Sequence, residues 1–157
     1  MSELCAARVR EYLMTHGIGY EIHDHVEAFT AQELAAAEHI PGRLVAKVVM
    51  LRVGDDLVMS VVRAPDHVSI SKARTVFGRD DIHIATELDF QESFPDCELG
   101  AVPPFGHLYG MRTYVDERLL DTDELVCAAG SHHQSMRVAT GDWYKLVEPV
   151  TVDISAG

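Results

Sequence analysis

Residues 42–63 constrain the fold more than any other stretch of the chain. The run GRLVAKVVML (42–51) and the run LVMSVV (57–62) are separated by Gly54-Asp55-Asp56, a hairpin signal. Adjacent strands are therefore expected over 44–53 and 57–63. The first run is rich in Val, Leu and Met, the composition of a strand buried on both faces. One residue in it does not belong to that composition. By the strand period Lys47 shares a face with Val45, Val49 and Leu51. An ammonium in such company must be paired, must snorkel to solvent along its stem, or must line a cleft. The run alone leaves all three open.

The rest of the chain supplies mixed elements around that hairpin. A helix is expected from Ser2 to His16, with Ser2 as N-cap, a stripe of Cys5, Val9, Tyr12 and Leu13, and Gly17 as its stop. A short strand follows in GYEIHDH. Thr30 and Glu33 of TAQE form a capping-box pattern that opens a helix running to about His39, ended by Pro41-Gly42. SISKARTVFG reads as a helix ending at Gly78, DIHIA as a strand and TELD as a capped turn. GAVPPFGHLYG is a loop of fixed shape. RTYVDERLL, ELVCAAG and SMRVAT read as strands, and GDWYKL as a short helix. Strands and helices do not alternate regularly, so the expected class is α+β. A mixed, curved sheet within a single domain, residues 1–157, is the arrangement to look for.

Composition excludes several classes. No apolar stretch approaches a membrane span, and the start of the chain is helical rather than a signal peptide. Cys5, Cys97 and Cys127 are scattered and lack a C-x-x-C, so they read as reduced thiols of a cytoplasmic protein, with Cys127 packed in its apolar run. The net charge of −12 opposes general binding to DNA or RNA. The basic residues do gather, however, at Arg43, Lys47, Arg52 and Arg63, then at Lys72, Arg74 and Arg79. A local basic patch on an acidic body is the arrangement this clustering suggests.

The common catalytic signatures are missing: no G-x-S-x-G, no P-loop and no G-x-G-x-x-G after a strand. His23 and His25 lie two apart on a strand and could share a metal, but with nine histidines such spacing arises readily. His132 and His133 are adjacent and read as surface or hydrogen-bonding groups. What remains is the lysine on a buried strand and two glycine turns, GAVPPFG and AAGSHH. Turns of this kind can present backbone N–H groups to a carbonyl or phosphate oxygen.

Taken together these pieces resemble the YbaK/ProX family of aminoacyl-tRNA editing domains, relatives of the insertion domain of bacterial prolyl-tRNA synthetase. The resemblance runs from Tyr20 to Leu146. It is carried in order by FTAQELAAAEHIPGRLVAKVVML, VSISKARTVFG, ELGAVPPFG with its G-x-x-x-P-x-G loop, and AAG…MRVATGDWYKL. It implies a mixed sheet around a pocket with helices outside, and hydrolysis of the ester joining a wrong, small amino acid to the 3′ end of a tRNA. No cofactor is implied. Lys47 would reach the tRNA end, and Gly100 and Gly130 would bring backbone up to the reacting ester. Val45, Val48, Ala101, Pro104, Gly106, Ala128, Ala129 and Ser131 would shape the aminoacyl pocket, with Lys72 and Arg74 meeting the tRNA. A synthetase is the further partner the resemblance admits. The sequence departs from the family pattern at Val48, where many relatives carry threonine. It departs again at Ala101, which replaces the second glycine of the pair seen in cysteine-clearing members, and at Ala128, where alanine-clearing members have histidine. Neither specificity is therefore assigned. Two rival readings stand beside this one: a non-catalytic binding module of the same fold, and a metallohydrolase using His23, His25 and a carboxylate.

Overall fold

A computed structural model describes residues 2–156, with side chains from residue 4 onward. Helix α1 spans Ser2–Thr15 and buries Cys5, Val9 and Leu13. It ends one residue before the expected His16. Gly17, at φ +69°, donates to the Met14 carbonyl (3.1 Å) and Ile18 to Leu13 (2.9 Å), closing the helix in the manner of a glycine cap. The capping role expected of Ser2 lies outside the described side chains. Strand β1 (Tyr20–Asp24) follows, then α2 (Ala31–Glu38), whose first turn is capped by Thr30 Oγ1 accepting from Glu33 N–H at 3.0 Å.

The hairpin is present, its first strand starting two residues later than read because Gly42–Leu44 forms a 3-10 turn. β2 (Ala46–Val53) and β3 (Asp56–Arg63) pair antiparallel from Ala46–Arg63 to Val53–Asp56, turning at Gly54 with φ +61°. They form the middle of a five-stranded mixed sheet. β5 (Ile82–Ile84) flanks β2 antiparallel. β6 (Thr113–Asp116) runs parallel to β3, and β9 (Val150–Val152) runs parallel to β6. β7 (Glu124–Ala128) and β8 (Gln134–Ala139) join β1 in an antiparallel sheet of order β1-β8-β7. A parallel bridge between Val45 and Val126 ties the two sheets where β2 begins. β4 (His67–Val68) pairs with β10 (Ser155–Ala156). Helices α3 (Ile70–Phe77), α4 (Glu87–Phe90) and α5 (Thr140–Val147) complete the fold. The class is α+β with a mixed sheet, as expected, its strands divided among three sheets.

Both faces of the hairpin are buried, and the two faces do different things. Ala46, Met50, Met59 and Val61 join Phe94, Phe105 and Trp143 in the main core. Leu51, Val58 and Val62 pack with Ala73 of α3 in a second cluster. The strand period thus separates a pocket side from an α3 side.

Three expectations change. RTYVDERLL is a strand only to Asp116; Glu117–Asp121 is a 3-10 turn. The fully buried Asp116 carboxylate causes the break, because it accepts from Arg118 N–H (3.0 Å) and draws in Ile154 N–H (2.9 Å) and Ser155 N–H (3.0 Å) from the C-terminal segment. β4, β9 and β10 were not anticipated: two or three residues carry little alternation, and β5, equally short, was read only within the longer run DIHIA. The cysteines are the third change. Cys5 and Cys97 form a disulfide with Cα atoms 5.1 Å apart, and Cys127 alone is a free, buried thiol. A separation of 92 residues gives no hint that α1 and the segment before the glycine loop meet in space. The argument for a reducing compartment from unpaired thiols falls with it. Among the described residues no helix is long and apolar enough to cross a membrane.

Candidate active site

The even residues of β2 open onto a cavity of about 100 Å³. Ala46, Val48 and Met50 form its floor. Ala28, Ala31 and Leu34, from the start of α2 and the turn before it, form one wall. Gly100 and Val102 of the Gly/Pro loop form the second, and Ala128, Ser131 and Gln134 of the β7–β8 turn close the third. The lining is small and apolar, with polar atoms supplied by His25, Thr30, Lys47, Ser131 and Gln134.

The two glycine turns are laced together by their own backbone. Gly100 (φ +86°) and Gly130 (φ +97°) both adopt the left-handed conformation that other residues enter at a cost. Glu98 N–H donates to the Gly130 carbonyl at 2.8 Å, and Gly130 N–H donates to Ala101 at 2.9 Å. His132 braces the same loop. Its backbone N–H and its Nδ1 both meet Glu98 Oε2 at 2.9 Å, its Nε2 lies 2.8 Å from the Leu99 carbonyl, and its ring packs against Phe29 at 4.8 Å. Behind the loop, the buried Trp143 donates Nε1–H to the Pro104 carbonyl at 2.9 Å. The loop is held from both sides.

The residues singled out in the sequence therefore separate into groups. Lys47, Val48, Gly100, Ala128 and Ser131 line the cavity. Val45, Ala101 and Ala129 are buried among core residues, and Pro104 and Gly106 are buried behind the loop. Gly130 supports the turn with its backbone. Lys72 and Arg74 stand on α3, which packs on the opposite face of β2. There the Lys72 ammonium meets Asp153 Oδ1 at 2.8 Å and the Ser155 carbonyl at 2.9 Å, while Arg74 is exposed. The basic residues thus do not converge on the pocket.

Lys47 borders the cavity from the α3 side of the strand, and its ammonium donates to the backbone carbonyl of Asp66. The Asp66 carboxylate is already taken by Arg63, at 2.6 Å from Nε and 3.1 Å from Nη2. Burial lowers the Lys47 pKa from its ordinary value, and the nearby Asp66 charge pulls it partly back. Lys47 is a partly desolvated cation without a carboxylate of its own.

His25, Thr30, Phe90 and Gln134 also line the cavity without having been read as pocket residues. His25 had been weighed only as a metal ligand with His23. The structure engages His23 with Glu38 (3.4 Å) and Glu21 (3.6 Å). Among the described residues neither histidine belongs to a group of three metal-ligand side chains; the one such group, Cys5, Asp96 and Cys97, has its two sulfurs joined in the disulfide.

Residues 25–146 match the sequence model of the aminoacyl-tRNA editing domain. The chain belongs to that family, in agreement with the resemblance its motifs carry. Among solved structures, one described as a "putative trans-editing enzyme for prolyl tRNA synthetase" shares 24% identity and superposes with a TM-score of 0.84, covering 98% of each chain. A hypothetical protein at 16% identity superposes with a TM-score of 0.85, covering 95% of this chain and 99% of its own. At such identities these likenesses establish the fold. No curated protein matches the sequence.

Proposed function

We propose that the protein hydrolyses mischarged aminoacyl-tRNA carrying a small amino acid, acting in trans in the cytoplasm on tRNA charged by a synthetase. The observation that carries this reading is the cavity itself. In an editing domain, about 100 Å³ walled by alanine, valine and methionine side chains suits a small aminoacyl group and excludes a large one. A synthetase needs such help, because one missing methylene is worth only about 1–3 kcal/mol of discrimination.

The chemistry asks little of the protein. An aminoacyl ester is already activated, so a placed water and fixed N–H donors suffice. Gly100 and Val102 line the cavity and their N–H groups make no hydrogen bond among the described residues, which leaves them free for a developing oxyanion. Gly130 N–H is committed to Ala101, so Gly130 serves by shaping the turn. Lys47 offers its charge to the tRNA 3′ end at the pocket edge. Lys72 remains with Asp153. The experiment is a panel of tRNAs mischarged with small and large amino acids, with and without EDTA. Release of a small amino acid at undiminished rate in EDTA supports a metal-independent deacylase. Tight tRNA binding without release points to the binding module, and loss of activity in EDTA with recovery in zinc points to the metallohydrolase.

A further inference from the structure

We infer that Cys5 and Cys97 form a thiol-exchange site through which small disulfides and thiols set the activity of the pocket, an inference that rests on the deacylase reading above. The surroundings of the two sulfurs carry it. Tyr109 has one hydroxyl proton and donates it to Asp96 Oδ1 at 3.1 Å. Its oxygen therefore turns lone pairs toward Cys5 Sγ at 3.4 Å and Cys97 Sγ at 3.2 Å. Asp96, paired with the Arg8 guanidinium at 3.0 Å, offers a second acceptor, its Oδ1 lying 3.6 Å from Cys97 Sγ. A disulfide has no S–H for these oxygens, whereas two thiols have one each, for Tyr109 and for Asp96. The site thus accommodates the dithiol as well as the bond that this structure holds. In the cytoplasm proposed for this protein, disulfides are as a rule transient or redox-sensing.

The bond lies where it can act on the cavity. The segment 90–102 begins at Phe90 and ends with Gly100 and Val102, all three in the cavity lining, and Cys97 ties its middle to α1. From Phe94 to Phe105 it contains no helix or strand. Backbone bonds from Glu98 and Ala101 to Gly130 hold it on the side of the β7–β8 turn, and the disulfide holds it on the side of α1. α1 keeps its place without the bond, because Val9 and Leu13 are buried in the main core. Reduction therefore leaves the fold standing and slackens the wall beside Gly100, so the oxidised form is the faster deacylase. Cys127 takes no part, since complete burial raises its thiol pKa to about 12. Cys97 is partly exposed and Cys5 fully buried, so a small partner meets Cys97 first. In oxidation the Cys97 thiolate attacks one sulfur of a low-molecular-weight disulfide, whose S–S bond breaks and releases a thiolate. Cys5, having lost its proton to solvent, attacks the Cys97 sulfur of the mixed disulfide, and the second small thiolate leaves. Two protein thiols have given up two electrons and two protons, and one small disulfide has become two thiols. Reduction runs the same steps backwards.

The test equilibrates the full chain with reduced and oxidised glutathione at a series of ratios and divides each sample. One half is quenched in acid, unfolded and alkylated, and its mass counts the free thiols: one in the oxidised form, Cys127, and three in the reduced form. The other half is assayed for single-turnover release of a small amino acid from mischarged tRNA, corrected for release by glutathione alone. The count should pass from three to one as the mixture becomes more oxidising. The rate should rise with it by about tenfold, the effect of a wall fixed rather than loosely placed. Cys5→Ser and Cys97→Ser should show the reduced rate at every ratio, with circular dichroism like that of wild type. Should either variant fail to fold, the wild-type series decides alone. A count fixed at one or at three across the series overturns the inference and leaves the deacylase reading standing. A count that changes while the rate stays flat or falls does the same. A wild type whose count changes but which clears no mischarged tRNA in either form overturns the deacylase reading, and the coupling with it.

Discussion

Replacing Lys47 with methionine keeps most of the side-chain stem and removes the ammonium. The structural cost follows from the partner. Lys47 holds the Asp66 carbonyl, while the Asp66 carboxylate keeps both bonds from Arg63. The variant therefore leaves a carbonyl short of one donor, worth about 1 kcal/mol, or roughly 2–4 °C in a chain of this size. Breaking a buried ion pair would cost about 3–5 kcal/mol, roughly 6–20 °C. Functionally, a charged hydrogen bond to the tRNA end lost from the transition state is worth about 1.5–3 kcal/mol, or about 10- to 150-fold in kcat/KM. Burial sets a further signature. Since the folded chain holds the Lys47 pKa below 10.5, the unfolded chain binds that proton more tightly. Wild-type stability should then rise with pH on the approach to 10.5, a rise missing from Lys47→Met. Thermal melts across pH and deacylation kinetics on the same preparations make the measurement. A melting point lowered by more than about 6 °C would refute the carbonyl-only argument. An unchanged kcat/KM would refute the contact with the tRNA end.

Gly100→Ala should fold with a loss of about 1–2 kcal/mol from its positive φ, because its new Cβ would meet only His132 Nε2 and the Phe29 carbonyl at 3.4 Å. Deacylation should suffer more than the melt. Gly106→Ala should do the reverse, since a Cβ there would lie 2.4 Å from Thr113 Oγ1 and 3.3 Å from the Met111 carbonyl; soluble yield and melting point check it. For Asp116, burial pushes the carboxyl up, but the N–H groups of Ile154, Arg118 and Ser155 outweigh it and hold it below 3.8. Its contribution is therefore present above pH 3.8 and lost as pH falls through the folded value. Asp116→Ala, which leaves those donors unpaired, should lose about 3–5 kcal/mol at neutral pH and flatten the acid limb of a chemical-denaturation series. Unreduced protein in denaturant should titrate one thiol, Cys127, whose pKa burial raises to about 12 in the folded state. Cys97→Ser should lower stability by about 2–4 kcal/mol.

The hairpin was legible because its signals agree at every level: β-prone apolar runs, a Gly-Asp turn, and one lysine out of pattern. Helix ends were legible where a side chain or glycine does the capping, as at Thr30 and Gly78. Pocket membership was legible only in part. The strand period put Lys47 and Val48 on opposite faces, and both border the cavity because it opens at the start of the strand beside the bridge from Val45 to Val126. Pro104 and Gly106 belong to the same motif as Gly100, yet they lie behind the loop, bonded to Trp143 and packed on Thr113. A motif shows which segment folds into a wall but not which of its residues face inward. His25 and the disulfide escaped for another reason. Both depend on meetings between distant segments, β1 with the β7–β8 turn and α1 with the loop, and local patterns do not encode those meetings.

On the proposed reading, charge distribution is what lets a chain with a net −12 address a polyanion at one place. Six of its 13 lysines and arginines are neutralised by its own carboxylates: Arg8 by Asp96, Arg52 by Asp89, Arg63 by Asp66, Lys72 by Asp153, Arg79 by Asp81, and Arg118 by Asp116 and Asp153. Arg43 and Arg137 share their groove with Asp121, Asp123 and Glu124. The exposed pairs among them, such as Arg79 with Asp81, add little stability, but all of them remove positive potential from the body of the protein. Lys47 differs from them, being bound to a carbonyl dipole rather than a carboxylate and lying at the mouth of an uncharged cavity. On the proposed reading the acidic surface repels the body of the tRNA, while the single-stranded end, carrying few phosphates, can approach Lys47. Recognition would then rest on the end of the substrate and the residue it carries, and affinity for the rest of the tRNA would fall to whatever partner presents it. That division suits an editing enzyme, which gains nothing from holding a correctly charged tRNA.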